Sequence, residues 1–294
     1  MRDPMLSNPL DATGACAAED MSDPAFVGDL LERGLESGEF PVPQLPEAAM
    51  RVVRAWESSN AAQLSEIIKA DPALARYVLR IAASAPHRPA TPIVSLPHAV
   101  AWLGFDEVAN MAFTLSLQPT MLDVPGHHVK ARRLWRHSLA SALWSRQLAL
   151  ALERDRGVCY LCGLLHAIGK GVTLSVSHAL ARQFGKTLGA RDLDLLIERF
   201  HREVTARVVT AWGLPRTVHA VATRWEAPES RLLECRLVDA AHRLADCTVE
   251  GLDRRDRLRI DSALRQLGLP SRQCAQLFES TPAIDAELDR YLGR

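Results

Sequence analysis

From position 24 to the C-terminal end, apolar residues return at helical spacing. They almost never alternate as they would along a half-buried strand. Leu45, Ala48, Ala49, Val52, Val53 and Trp56 mark one such face, and Leu74, Val78, Leu79 and Ile81 mark another. Composition agrees: Ala, Leu and Arg are abundant, aromatics make up only 5%, and strand-favouring Tyr, Phe and Ile are sparse. An all-α fold is therefore expected. At 294 residues the chain can bury a sizeable core without staples.

Breaker and capping residues divide the helices. Residues 1–22 carry Pro, Ser, Asn and Asp without periodicity and are expected to be disordered. A short amphipathic helix over 24–38 precedes an extended linker, Pro41-Val42-Pro43-Gln44-Leu45-Pro46, because proline disfavours helix at the residue before it. Asn60 to Gln63 reads as a capping box, and Asp71-Pro72 as an N-cap with proline at the first helical position. Residues 85–91, with two prolines and His87, read as a loop. Ser95 caps a helix that stops near Gly104, and Asp106 opens one that ends near Pro119. The segment 119–126 is the expected boundary between an N-terminal helical part, 23–125, and a C-terminal one, 126–294. A long helix is predicted over 129–153, and 157–169, apolar nearly all round, as a central buried helix. Further helices are expected near 174–184, 190–198, 201–212, 215–225, 231–248, 254–267, 270–278 and 283–292.

Charge excludes some functions. With 35 basic and 35 acidic residues there is no global footprint for nucleic acid or an anionic membrane. The run Asp253-Arg254-Arg255-Asp256-Arg257 interleaves both signs and reads as a solvated helix face. Six scattered cysteines, no secretory leader and apolar runs too short to span a bilayer point to a reducing cytoplasm. Cys159 and Cys162 lie on an apolar helix without a second pair and read as core residues. Gly163 to Gly169-Lys170 has neither the spacing of a phosphate loop, nor the following Ser or Thr, nor a preceding strand.

The most informative stretch is Leu161-Cys162-Gly163-Leu164-Leu165-His166-Ala167-Ile168-Gly169-Lys170. It resembles the "GLLHDIGK" segment of HD-superfamily phosphohydrolases, in which a His-Asp pair holds divalent metal that activates water and polarises a phosphoryl oxygen. Here Ala167 stands at the aspartate position, and a methyl cannot ligate. Leu134-Trp135-Arg136-His137-Ser138 is similar to the first-histidine segment of that group. Phe200-His201-Arg202-Glu203 with Trp212-Gly213-Leu214-Pro215 is similar to a later one, where some relatives go on to a His pair and this chain has Arg224-Trp225. Asp239 sits where the resemblance places a late aspartate ligand. The Gly-Tyr-Pro signature of cyclic-di-GMP-hydrolysing relatives is absent. Leu45-Pro46-Glu47, the segment from Ile67 to Leu74 with its Asp71-Pro72, and the segment from Ser95 to Gly104 resemble the "LP", "I-x-x-DP-x-L" and "SI-x-x-AI-x-x-LG" segments of HDOD proteins. Together these pieces cover roughly 41–250.

The HDOD resemblance implies an N-terminal HDOD helical half packed on a C-terminal HD-like helical half, and a bacterial regulatory role without catalysis. The relic-cleft candidates are His137, His166, Ala167, His201, Arg224 and Asp239. If the cleft still holds a divalent metal, the resemblance offers His137, His166, His201 and Asp239 as ligands; the expectation is no cofactor, these residues serving as buried polar groups bonded to one another. Arg136, Lys170, Arg202 and Arg224 are candidate phosphate partners for a nucleotide ligand. Trp225, between Arg224 and Glu226, marks a candidate repurposed rim, and an exposed tryptophan would suit a partner surface. The leading expectation is a signalling module that binds regulatory proteins or senses a ligand in the relic cleft. The alternatives are a divergent metal-dependent phosphohydrolase and a nucleotide-binding module without turnover.

Overall fold

A computed structural model describes residues 24–82, 93, 95–227, 230–251 and 254–292, with only the backbone described for 254–256. The expected disorder of 1–22, the loop 85–91 with His87, and most of the charged run 253–257 fall outside the described residues or side chains. The described residues form fifteen helices and no strand. The N-terminal elements are α1 (Pro24–Ser37), α2 (Glu47–Glu57), α3 (Ala61–Ala70), α4 (Pro72–Ala82), α5 (Leu96–Leu103) and α6 (Phe105–Leu122). Next come α7 (His128–Ala151), α8 (Arg156–Leu165), α9 (Ile168–Gln183), α10 (Ala190–Ala211) and α11 (Arg216–Arg224). The chain ends in α12 (Leu233–Glu250), α13 (Arg254–Gln266), α14 (Ser271–Glu279) and α15 (Thr281–Tyr291).

The capping residues act where the sequence places them. The Asn60 side chain accepts from the Gln63 amide at 2.9 Å, Asp71 accepts from Ala73 and Leu74 at 2.8 and 3.1 Å, and Ser95 accepts from His98 at 3.3 Å. Each satisfies amides that the first helical turn leaves without intrahelical partners.

Three boundaries differ from expectation, each for a physical reason. Helix α6 runs through Pro119 to Leu122 rather than stopping there. Leu117 and Met121, on either side of the proline, are both buried, so packing outweighs the one lost hydrogen bond. The predicted single helix over 157–169 breaks at His166-Ala167, and its last residues begin α9. The two predicted helices at 190–198 and 201–212 are one helix, α10, whose buried stripe Leu193, Leu196, Ile197, Phe200, Val204 and Val208 continues unbroken.

Helices α7, α8, α9, α10 and α12 form the packed centre, and α2 to α6 build a second group joined to it through α6. Helix α1, first in sequence, seats on α9 and α10, with Glu32 paired to Arg199 at 2.8 Å. The linker after it is tied down by Trp212, whose Nε1 donates to the Pro43 carbonyl at 2.8 Å. The buried apolar residues form one continuous cluster from Val27 to Tyr291. The stretch Arg156–Gln183 is apolar enough to cross a bilayer by composition, but 89% of its most apolar window is buried within the fold.

Glycines set the close approach of α8 and α9 to their neighbours. A Cβ at Gly163 would lie 2.6 Å from the Ser141 carbonyl, and one at Gly169 would lie 2.6 Å from the Thr205 amide. Only a residue without a side chain lets these helices approach so closely. Cys159 and Cys162 are buried at that junction, and burial pushes the Cys159 thiol up to about 12.

Candidate functional site: a histidine cluster at a three-helix junction

His137 lies midway along α7, His166 closes α8, and His242 lies midway along α12, three helices that pack on one another. One ligand-capable atom of each ring lies within 4.8 Å of the others. The ring centroids are 5.7 Å apart for His137 and His166, 5.2 Å for His166 and His242, and 4.7 Å for His137 and His242.

Hydrogen bonding fixes the protons. His166 Nδ1 lies 2.7 Å from the Gly163 carbonyl, which can only accept, so Nδ1 carries the hydrogen and donates. In the neutral ring Nε2 then presents a lone pair. It lies 3.1 Å from His242 Nδ1, which must donate to it. That leaves His242 Nε2 as a lone pair, 3.6 Å from an Asp246 oxygen. The other Asp246 oxygen lies 2.9 Å from His137 Nε2, but the two are not aligned as a hydrogen bond, and that buried nitrogen has no hydrogen-bond partner. Protonation of His166 or His242 is disfavoured. Burial, then the His137 charge, pushes His166 well below the usual histidine range; burial, then His166 and His137, pushes His242 far below it.

Trp225 closes the cluster from the α11 side. Its Nε1 donates to the His166 carbonyl at 3.0 Å, and its ring stands edge-on to His166 with centroids 4.8 Å apart. It is also 4.8 Å from the His242 ring. A cleft of about 850 Å³, which Trp225 does not line, opens onto His137, Ala167, Lys170, His242 and Asp246. Two ion pairs along its lining, Lys130 with Asp194 and Arg133 with Glu250, tie α7 to α10 and to α12.

The residues singled out from sequence are distributed unevenly around this site. His137 and His166 come together, and Ala167 lies on the cleft wall, 4% exposed. His201, buried on α10, is outside the three-ring group; its carbonyl accepts from Thr205 Oγ1 at 2.7 Å behind α9. Burial, then the Lys170 charge, pushes its imidazole down to about 4. Asp239 also lies outside the group: both its oxygens accept from Arg243 four residues on, at 2.9 and 3.0 Å. Of the four candidate phosphate partners only Lys170 lines the cleft. Arg136 pairs with Asp289 at 3.3 Å, Arg202 with Glu226, and Arg224 is exposed at the end of α11.

Sequence reasoning missed His242 and Asp246. The signal was available in Asp239-Ala240-Ala241-His242-Arg243-Leu244-Ala245-Asp246, where the third and seventh residues after Asp239 share a helical face. The resemblance drew attention to the first carboxylate instead of the histidine one turn on.

An all-helical fold with three histidines gathered where α7, α8 and α12 meet, one of them at the end of α8 and followed by an alanine, defines the class as an all-α protein with a histidine-lined helix junction. The HDOD domain profile matches residues 42–228, and the chain belongs to the HDOD family. An HDOD domain protein of unknown function from Geobacter sulfurreducens superposes with a TM-score of 0.64 at 22% identity, covering 92% of this chain and 99% of its own. A protein from Shewanella amazonensis, described as a candidate metal-dependent phosphohydrolase, gives a TM-score of 0.69 at 19% identity, with 91% and 100% covered. A candidate signal transduction protein from Marinobacter aquaeolei gives 0.64 at 23%, with 92% and 67% covered. At these identities the likeness is one of fold. Among curated proteins none matches.

Proposed function

We propose that this chain is a non-hydrolytic HDOD signalling module that senses a ligand in the cleft beside the histidine cluster and reports it to a regulatory protein partner. The observation that carries this reading is Ala167: the cleft wall holds a methyl where HD-type hydrolysis uses a metal-bound carboxylate. The other carboxylate that the motif offers, Asp239, is engaged by Arg243. Trp102, 48% exposed on α5, is the candidate anchor for the partner, because tryptophan is enriched at interface hot spots.

The test has two arms. Incubation with a phosphodiester and nucleotide panel plus divalent metals is expected to give no turnover above that of a His166→Ala variant. Affinity capture from the native host is expected to recover a regulatory protein whose recovery drops with Trp102→Ala. Turnover lost in His166→Ala would overturn the non-hydrolytic half, and the description carried by the Shewanella protein would then apply. Calorimetry tests the nucleotide-binding alternative. That reading is the weaker one, since Lys170 alone of the proposed cations reaches the cleft.

A further inference from the structure

The histidine cluster leaves one of its buried ring nitrogens without a hydrogen-bond partner. Three rings and one carboxylate converge. The Gly163 carbonyl takes the His166 Nδ1 hydrogen, and the His242 Nδ1 hydrogen fills the 3.1 Å gap to His166 Nε2. His242 Nε2 therefore faces Asp246 lone pair to lone pair, and His137 Nε2 is buried 2.9 Å from the same carboxylate with no hydrogen bond formed. A buried polar atom left without a partner costs free energy that an added cation recovers.

We propose that His137, His166 and His242 form a site for one first-row divalent cation, zinc being the reference ion, with Asp246 beside them as an outer support. Three imidazoles with a fourth position open to the cleft are a donor set such ions favour. The 3.1 Å separation of His166 Nε2 and His242 Nδ1 is close to the donor spacing, about 3.3 Å, of a tetrahedral ion with bonds near 2.0 Å. The His166 ring is already oriented for ligation, since its far nitrogen donates to a backbone carbonyl, the usual outer support of a metal-bound histidine. When His242 Nδ1 turns to the ion, its hydrogen belongs on Nε2, where Asp246 is waiting to accept it. The cleft gives an entry path, because His137, His242 and Asp246 all line it. This donor set differs from the one expected from the motif. It uses neither Asp239 nor His201, and it draws its third imidazole from α12. The proposal rests on the cleft being a sensing site and names the class of ligand sensed.

The test uses the full chain, purified without nickel resin or chelator and titrated with zinc chloride against a chromogenic chelator. One ion per chain is expected. His242→Gln and Asp246→Asn, both at partly exposed positions, are expected to weaken binding about tenfold or more while circular dichroism stays unchanged. His201→Gln is expected to bind as the parent does. Cobalt(II) in place of zinc is expected to give the visible absorption of a four-coordinate site, lost in His242→Gln. A folded chain that takes up no zinc, or one whose affinity is the same with and without His242, would overturn the site and leave the non-hydrolytic reading standing. Zinc-dependent turnover would confirm the site and overturn that reading instead.

Discussion

The side chain after His166 is a methyl on a cleft wall, next to an imidazole that burial holds neutral. An Ala167→Asp variant is expected to lose about 1–3 kcal/mol of stability in metal-free buffer, the cost of placing a carboxylate there without a fixed partner. Zinc is expected to restore that loss, and urea denaturation with and without the ion measures both. His201 supplies a pH prediction. Unfolded, its imidazole protonates near 6.5; folded, it stays neutral down to about 4. The unfolded state therefore binds the extra proton between these values, so stability is full above 6.5 and falls as pH drops toward 4. At pH 5 the loss from this residue is about 2 kcal/mol, and a His201→Gln variant is expected to give a flatter urea midpoint between pH 7 and 5. At this scale the sequence was legible where chemistry is local. Ala167 could be read directly because it adjoins His166. His242 could not be placed, because only the packing of α12 on α7 and α8 brings it 76 positions back to His166.

Helices were legible from caps and apolar spacing, and their ends less so. A capping side chain fixes where α3, α4 and α5 begin. By contrast, Pro119 shows that a breaker yields when the residues around it are buried, and the His166-Ala167 break carries no breaker at all. The contact between helices is more demanding than their lengths. Gly169→Ala would push a methyl against the α10 backbone, which cannot move aside as a flexible side chain can. A loss of about 3 kcal/mol or more is expected, seen as a lowered urea midpoint. Helix α15 is held by a different device. Arg146 on α7 reaches Glu107 on α6 and Glu287 on α15, each at 2.6 Å, with all three side chains largely buried. Arg146→Met leaves two adjacent carboxylates without their cation and is expected to cost about 3–5 kcal/mol. Replacing all three by apolar residues of similar volume is expected to cost much less, and thermal denaturation of the two variants side by side decides.

Across the whole molecule, one apolar cluster runs through both helical groups, and the Arg146 pairs stitch them together with α15. A single cooperative calorimetric transition is therefore expected, although the sequence reads as two parts with a boundary at 119–126. Two resolved transitions would mean that the groups fold separately. The sequence suggested two parts because Pro and Gly cluster at that boundary, whereas burial of Met121 and Val124 within the segment carries the core across it. The contact of Trp225 with His166 and His242 has an optical consequence. An indole whose excited state touches two imidazoles is quenched when either becomes cationic or binds an open-shell ion. The emission lost on going from the parent to Trp225→Phe thus isolates one fluorophore among six that reads the histidine cluster. The protein carries its own lamp against two of the three imidazoles.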